Sequence, residues 1–403
     1  MLKKSITNYK AVPPLVWKVL LTQFLMNSSH FMTVSLLAVY MVNTLMFGAW
    51  EVATVMTANL ISAQVLPFLF GLMADKYGFR LFMAGGLLLR ALGLLGFAFG
   101  HGWVMLAVMA LVMGVGVAMY ESSVYPFFSK QPLPIATRAF VLNNQMLNMG
   151  VVVGPLLSGV LLTYDVRLAF VVSSFLFGCL GLWVFAQKSI DATLTQGTVV
   201  LVSLKRVLND RRFFFFLLAL VPWYFLFAQL YVSFPIYLSQ IAGDAAVPKM
   251  FLVNGLVGLV FMVVTMTVME TAAPRTVLPR VYVMAAVFFF AAPLLPTAWW
   301  FLVFVGCYTM VETLILPAIE TLVTELAPDG SQSTFFGTLS VASAIGGSLG
   351  YFAGSWMTLN MEGHTMWSIF AGVAALGAAL SFWFVKTQSG LQPGPKQLPQ
   401  STI

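Results

Sequence analysis

Apolar runs of bilayer-crossing length follow one another along nearly the whole chain, with only short polar intervals between them. A helix needs roughly 20 apolar residues to cross the hydrocarbon core of a membrane. Such runs fall at 15–43, 49–72, 80–100, 103–127, 138–162, 166–187, 213–241, 247–270, 279–297, 299–323, 334–358 and 365–386. Of the 403 residues 60% are hydrophobic and only 8% are charged, where a water-facing protein has about a quarter of its residues charged. The pattern predicts an all-α membrane protein of twelve transmembrane helices, embedded in the lipid bilayer and without a sizeable soluble domain.

The basic residues supply the orientation. Of the 20 Lys and Arg, Arg167 and Lys249 fall in loops on the side opposite the N-terminus, and Arg90 falls within a span. All the others lie on the side of the N-terminus, which the positive-inside rule makes cytoplasmic. An even number of spans returns the C-terminus to the same side. Residues 1–14 carry Lys3, Lys4 and Lys10 before a run too long for a signal-peptide core, so the first run reads as a retained span. The net charge of +7 follows from this topology rather than from nucleic-acid binding, which would need a displayed basic patch. Cys179 and Cys307 both sit in apolar runs, which argues against a disulfide framework or a thiolate metal site.

The chain also repeats itself. Asn59, Asp75 and Arg80 recur as Asn254, Glu270 and Arg275, each 195 positions on. Glu121 and Pro126 recur as Glu312 and Pro317, and Phe140, Gly150 and Gly154 as Phe336, Gly346 and Gly350. The order and near-constant offset indicate a six-plus-six duplication. Two pseudo-symmetric six-helix bundles at 1–187 and 213–386 are expected, with a cytoplasmic linker at 188–212 and a disordered cytoplasmic tail at 387–403. An amphipathic helix is expected at 200–209. Duplicated halves are a common plan of secondary transporters, with the substrate held between the repeats near mid-membrane.

Three stretches resemble the major facilitator superfamily, and within it the drug:proton antiporter branch. "GLMADKYGFRLF" is similar to the superfamily's loop between spans two and three, with Gly71, Asp75, Lys76, Gly78 and Arg80 in register. The resemblance implies that these residues form a conformational latch. "GVVVGPLLSG" in span five is similar to the antiporter motif through Gly150, Gly154, Pro155 and Gly159, with Ser158 where a glycine often stands. "GVGVAMYESSVYP" followed by Arg138 has the layout of span four in multidrug exporters. The arginine that many of those exporters carry in the first half of span four is absent here.

Charges inside spans are functional candidates by default. Arg90 lies ten positions after Arg80 and Glu121 nine before Lys130, so both sit roughly 13–15 Å from the same face at 1.5 Å per residue. Consecutive spans at matching depth make Arg90 and Glu121 a candidate charge pair. The position equivalent to Arg90 in the second half is Ala285, which leaves Glu312 without an evident counter-charge. Glu312 is the foremost proton-coupling candidate. For Glu121 a direct role in coupling or substrate binding and a structural pairing with Arg90 both stand. Gln23, Asn27 and His30 form a polar stripe on span one, and Gln229, Ser233 and Tyr237 another on span seven. Asn144 and Asn148 do so on span five, and Tyr125 and Tyr308 share faces with the two glutamates. Because the superfamily lines its cavity with spans one, four, seven and ten, Gln23, Asn27, His30, Tyr125, Gln229, Ser233, Tyr237 and Tyr308 are the substrate-cavity candidates. Glu320 is expected at the membrane interface.

The resemblance implies proton-coupled export of amphipathic small molecules or drugs by alternating access. A dedicated exporter of a native metabolite such as a siderophore, an uptake symporter, and a receptor or scaffold that moves nothing remain alternatives. His30, His101 and His364 are scattered and no nucleophile motif or phosphate-binding glycine loop appears, so neither an enzyme nor an ATP-driven pump is expected. The expected partners are a small-molecule substrate and protons, with no cofactor, no metal and no nucleic acid. The chain is expected to be a monomer in a bacterial inner (cytoplasmic) membrane.

Overall fold

The computed structural model describes residues 12–193, 210–326 and 332–389, and they are almost wholly helical. The first half runs through α1 (Pro14–Val39), α2 (Ala49–Val65), α3 (Pro67–Tyr77), α4 (Phe79–Phe99), α5 (Trp103–Ser129), α6 (Leu133–Leu161) and α7 (Val166–Ala186). The second runs through α8 (Arg211–Gln229), α9 (Ser233–Ala242), α10 (Val247–Thr271), α11 (Pro274–Ala291), α12 (Ala298–Leu326), α13 (Gln332–Asn360) and α14 (Gly363–Ser389). Among the described residues, ten helical stretches are long and apolar enough to cross a membrane. The expected span at 49–72 is helical but divided into α2 and α3, and α13 is long enough but carries many glycines and serines. The expected helix at 200–209 and the residues from 390 onward lie outside the described residues, whereas 387–389 continue α14.

Local chemistry explains the helix ends. Pro67 supplies no N–H, and the helix divides at Leu66 just before it. Gly78 joins α3 to α4 at φ 104°, a conformation strained for any residue with a Cβ, so the glycine in this loop is dictated by the turn. Asp165 caps α7 by accepting from the Arg167 amide at 2.8 Å. Asp210 caps α8 by accepting from the Arg212 and Phe213 amides at 2.8 and 3.2 Å. The expected span at 213–241 is interrupted at 230–232, between α8 and α9.

The packing pattern occurs twice. In the first half α1 packs on α6 and α7, α2 on α5, and α4 on α5 and α7. In the second half α8 packs on α13 and α14, α10 on α12, and α11 on α12 and α14. The halves meet where α2 packs on α13, α6 on α10, and α9 on α1. Lipid offers no hydrophobic drive between helices, so close van der Waals contact must hold such interfaces. Gly150 and Gly154 provide it for α6. A Cβ on Gly154 would lie 2.6 Å from the Ser28 carbonyl of α1, and one on Gly150 would lie 2.7 Å from Asn27 Cβ. Their repeat mates Gly346 and Gly350 press α13 on α8 in the same way. The second half is further filled by an aromatic cluster in which Trp223 stacks on Tyr308 at 6.2 Å and Phe234 meets Tyr308 edge-on at 5.1 Å.

Candidate functional site

A cavity of about 530 Å³ lies between the halves, walled by α1, α6, α10 and α12 and by Tyr231 at the α8–α9 break. Its polar lining is Asn144, Asn148, Tyr231, Asn254, Thr265, Thr309, Glu312, Thr313 and Glu320. A second cavity of about 300 Å³, walled mainly by α1, α2 and α5, holds Gln23, Asn27, His30, Gln64, Arg90, Glu121 and Tyr125. Tyr231 lines both. The linings run from mid-helix toward the end of the bundle that carries the α3–α4 turn at Gly78. At the opposite end Asn43 donates to Ser239 Oγ at 2.8 Å and to Asp244 Oδ1 at 2.7 Å. There too Trp50 packs on Phe352, and Gly159 lies against Pro248 of α10.

Glu312 sits on the wall of the larger cavity at mid-helix in α12. Asn254 of α10 donates to its Oε2 at 2.9 Å and to Thr309 Oγ1 at 3.0 Å. Thr309 spends its own proton on the Val305 carbonyl at 2.8 Å, so it accepts from Asn254 and orients the amide. Among the described residues no cation pairs with Glu312. Glu121 and Arg90, the candidate charge pair, line one cavity, yet no ion pair joins them. Arg90 instead donates to the Met26 sulfur at 3.1 Å and lies over the Phe177 ring at 4.4 Å.

The stripe on span one lies on the wall and also bridges helices. Gln23 donates to Asn143 Oδ1 at 2.6 Å and Asn27 donates to the Leu147 carbonyl, both joining α1 to α6. His30 lines the smaller cavity beside Phe31, and Tyr125 shares that wall with Glu121. The stripe on span seven lies elsewhere. Gln229 and Ser233 are fully buried, and neither lines these cavities. Gln229 donates to the Gly350 carbonyl of α13 at 3.1 Å and accepts from Ser233 at 2.6 Å. The break at 230–232 presents Tyr231 to the cavity and leaves its neighbours against α13. Tyr237 and Tyr308 belong to the aromatic cluster, where Tyr237 packs on Trp367 at 5.3 Å and Tyr308 on Trp223. An offset of four places Tyr308 beside Glu312 along the helix but rotated toward α8 and α11. Glu320, expected at the interface, lines the larger cavity.

In the loop motif a Cβ added at Gly71 would lie 4.0 Å from Ser122 Cβ of α5. Lys76 stands near the Tyr77 ring at 5.1 Å, and Arg80 donates to the Phe185 carbonyl at 3.2 Å. The Asp75 side chain lies outside the described residues. In the second half Arg275 pairs with Glu325 at 3.2 Å. Within the span-five motif Pro155 sits inside α6, and Ser158 Oγ lies 3.2 Å from Ser35 Oγ of α1. Among the described residues no group of three His, Cys, Asp or Glu comes together to hold a metal. Asn254 carried a sequence signal only as a repeat marker, Tyr231 only through Pro235 four positions on, which interrupts the helix there, and Thr309 and Thr313 carried none.

The sequence is similar to proteins named "Multidrug resistance protein MdtH". It is 27% identical over 388 residues to the Cronobacter sakazakii protein, covering 93% of this chain and 95% of that one. It is 27% identical over 346 residues to the Aeromonas hydrophila protein, covering 84% and 86%. The fold is similar to the crystal structure of a mutant of the nucleoside transporter NupG, with a TM-score of 0.79 at 16% identity, covering 92% of this chain and 99% of that one. Residues 19–351 match the profile of the Major Facilitator Superfamily, and the chain belongs to that family of membrane transporters.

Proposed function

We propose that this chain is a proton-coupled antiporter that exports amphipathic small molecules, with Glu312 as the coupling residue. The observation that carries this reading is a carboxylate on the wall of the inter-half cavity, held by a neutral amide and facing no cation among the described residues. Such a group can take a proton or a cationic ligand, and competition between the two is what exchange requires. Across the two cavities three carboxylates, Glu121, Glu312 and Glu320, face a single guanidinium, Arg90, which favours ligands with a positive centre. The relatives named for multidrug resistance support a broad substrate range. Phe31, Leu316 and Met262 supply apolar wall that can re-pack around varied ligands.

In this reading the chain spans a bacterial inner membrane twelve times, α2 with α3 and α13 included, with both termini in the cytoplasm. Residues 1–187 and 213–386 then rock as two bundles about the cavity. The contacts at Asn43, Trp50 and Gly159 close the outer side while the cavity faces inward. The Gly71–Arg80 loop then acts as the latch of the opposite state, and the chain works as a monomer.

Inverted vesicles with an imposed proton gradient and a pH-sensitive dye test the reading, with lipophilic amine, neutral and acidic compounds added in turn. Wild type is expected to release protons when an amine is added, and Glu312→Gln is expected not to. An equal response in the two proteins would remove Glu312 from coupling. No response to any class, from vesicles containing folded protein, would count against drug export.

A further inference from the structure

Arg90 is an uncommon arrangement for a charged side chain. It is 3% exposed, in the middle of α4, and its Nε has no hydrogen-bond partner. Its guanidinium meets a thioether and an aromatic face, both weak stand-ins for an anion. A buried guanidinium without an anion is costly, and proteins normally resolve it with a carboxylate. Glu121 lines the same cavity, but no ion pair forms. The close crossing of α4 and α5 is nevertheless built around this residue. A Cβ on Gly116 of α5 would lie 2.8 Å from Arg90 Cγ and 2.6 Å from the Gly86 carbonyl. Gln23 lines the same cavity and its Oε1 is also buried and unpartnered, so the site offers an acceptor as well as a donor.

The geometry points to the Arg90–Glu121 cavity as a subsite for an amphoteric head group, the anionic end held by Arg90 and the ammonium end by Glu121. The planar guanidinium takes a carboxylate in a paired hydrogen-bonding mode that the Met26 sulfur cannot offer. An ammonium between Glu121 and the unfilled Gln23 oxygen completes the polar inventory. The apolar remainder of the ligand extends past Tyr231 into the larger cavity, since Tyr231 lines both. This inference rests on the proposal that the chain carries amphipathic small molecules, and it narrows their class.

Equilibrium binding to purified full-length protein tests it with three naphthalene ligands: naphthylethylamine, naphthylpropionic acid and naphthylalanine, the last carrying both charges. In chloride-free gluconate buffer, wild type is expected to bind naphthylalanine about tenfold more tightly than the amine. Arg90→Gln removes that advantage without weakening the amine, which loses a neighbouring like charge, while Arg90→Lys keeps part of it. Glu121→Gln weakens the amine and naphthylalanine and spares the acid. Thermal unfolding midpoints of the variants show that each is folded, and Arg90→Lys guards against a failure of Arg90→Gln to fold. Equal affinity for the amine and naphthylalanine in wild type overturns the proposal, as does an Arg90→Gln loss shared by all three ligands. Chloride competing with naphthylpropionic acid and not with naphthylalanine would make Arg90 a site for small inorganic anions, which also overturns it. Failure of the transport reading shows separately, as absence of amine-evoked proton release sensitive to Glu312→Gln.

Discussion

Asn254 donates a hydrogen bond to Glu312 at 2.9 Å, whereas its repeat mate Asn59 donates at 3.0 Å to the backbone carbonyl of Ala110. Equivalent asparagines in equivalent helices therefore serve different acceptors. The cause is local. Thr309, which fixes the Asn254 amide, has Ala118 at the equivalent place in the first half, so nothing there turns the asparagine toward Glu121. Two halves of like packing thus carry glutamates that different neighbours make chemically distinct.

Asn254→Ala is expected to lower substrate-evoked proton release about tenfold, because a hydrogen bond to a charged acceptor contributes about 1.5–3 kcal/mol. Thr309→Val should give a smaller loss in the same direction, since it frees the amide without deleting it. Proton release in vesicles measures both. An Asn254→Ala rate equal to wild type would show that Glu312 needs no orientation.

The contact of α6 with α1 is expected to tolerate no added side chain. Gly154→Val drives two methyl groups toward the Ser28 carbonyl and Phe31 Cβ, which lie 2.6 and 2.7 Å from a Cβ at that site. Overpacking of this kind costs about 1–3 kcal/mol. The thermal midpoint in detergent should fall for Gly154→Val and for Gly350→Val alike, and less for the alanine variants. A first-half effect without a second-half one would mean that only one of the two crossings bears on stability.

At the end opposite the cavity mouth, Asn43 holds Ser239 and Asp244 together, and Ser239 itself donates to Asp244. Asn43→Ala removes two hydrogen bonds of about 0.5–1.5 kcal/mol each, which shifts a two-state balance on the order of tenfold. Spin labels at Met46→Cys and Lys249→Cys, with Cys179 and Cys307 replaced by serine, read the gap between the halves. The distance distribution should gain a longer component in Asn43→Ala. An unchanged distribution would show that the network follows closure rather than stabilising it.

Much of the architecture was legible because a bilayer leaves little freedom. Apolar run lengths follow from the solvent, and Glu312 stood out because a charge in such a run is conspicuous. Asn254 was not legible, since an asparagine in a span signals a hydrogen bond without naming its partner. The span-seven stripe was misleading for a related reason. Spacing puts Gln229 and Ser233 on one helix face, but it cannot say whether that face meets a cavity or a glycine-lined neighbour. The interruption at 230–232 has its signal in Pro235, which offers no N–H to the Tyr231 carbonyl four positions back, but a proline marks a break without saying that it turns Tyr231 to the cavity.

That distinction between wall and tie is itself testable at Gln229. The side chain is fully buried and bonds the Phe225 carbonyl at 2.7 Å, the Gly350 carbonyl at 3.1 Å and the Ser233 hydroxyl. Gln229→Ala cuts the tie of α8 to α13 and leaves two acceptors short, a loss of about 1–3 kcal/mol. Its thermal midpoint should fall while the affinity of folded protein for naphthylethylamine stays as in wild type. Tyr231→Ala, two positions on, should behave in the opposite way, with affinity falling and the midpoint little changed, because its ring borders both cavities. If Gln229→Ala instead lost affinity with its stability intact, the polar stripe of span seven would face the ligand after all in a conformation other than this one.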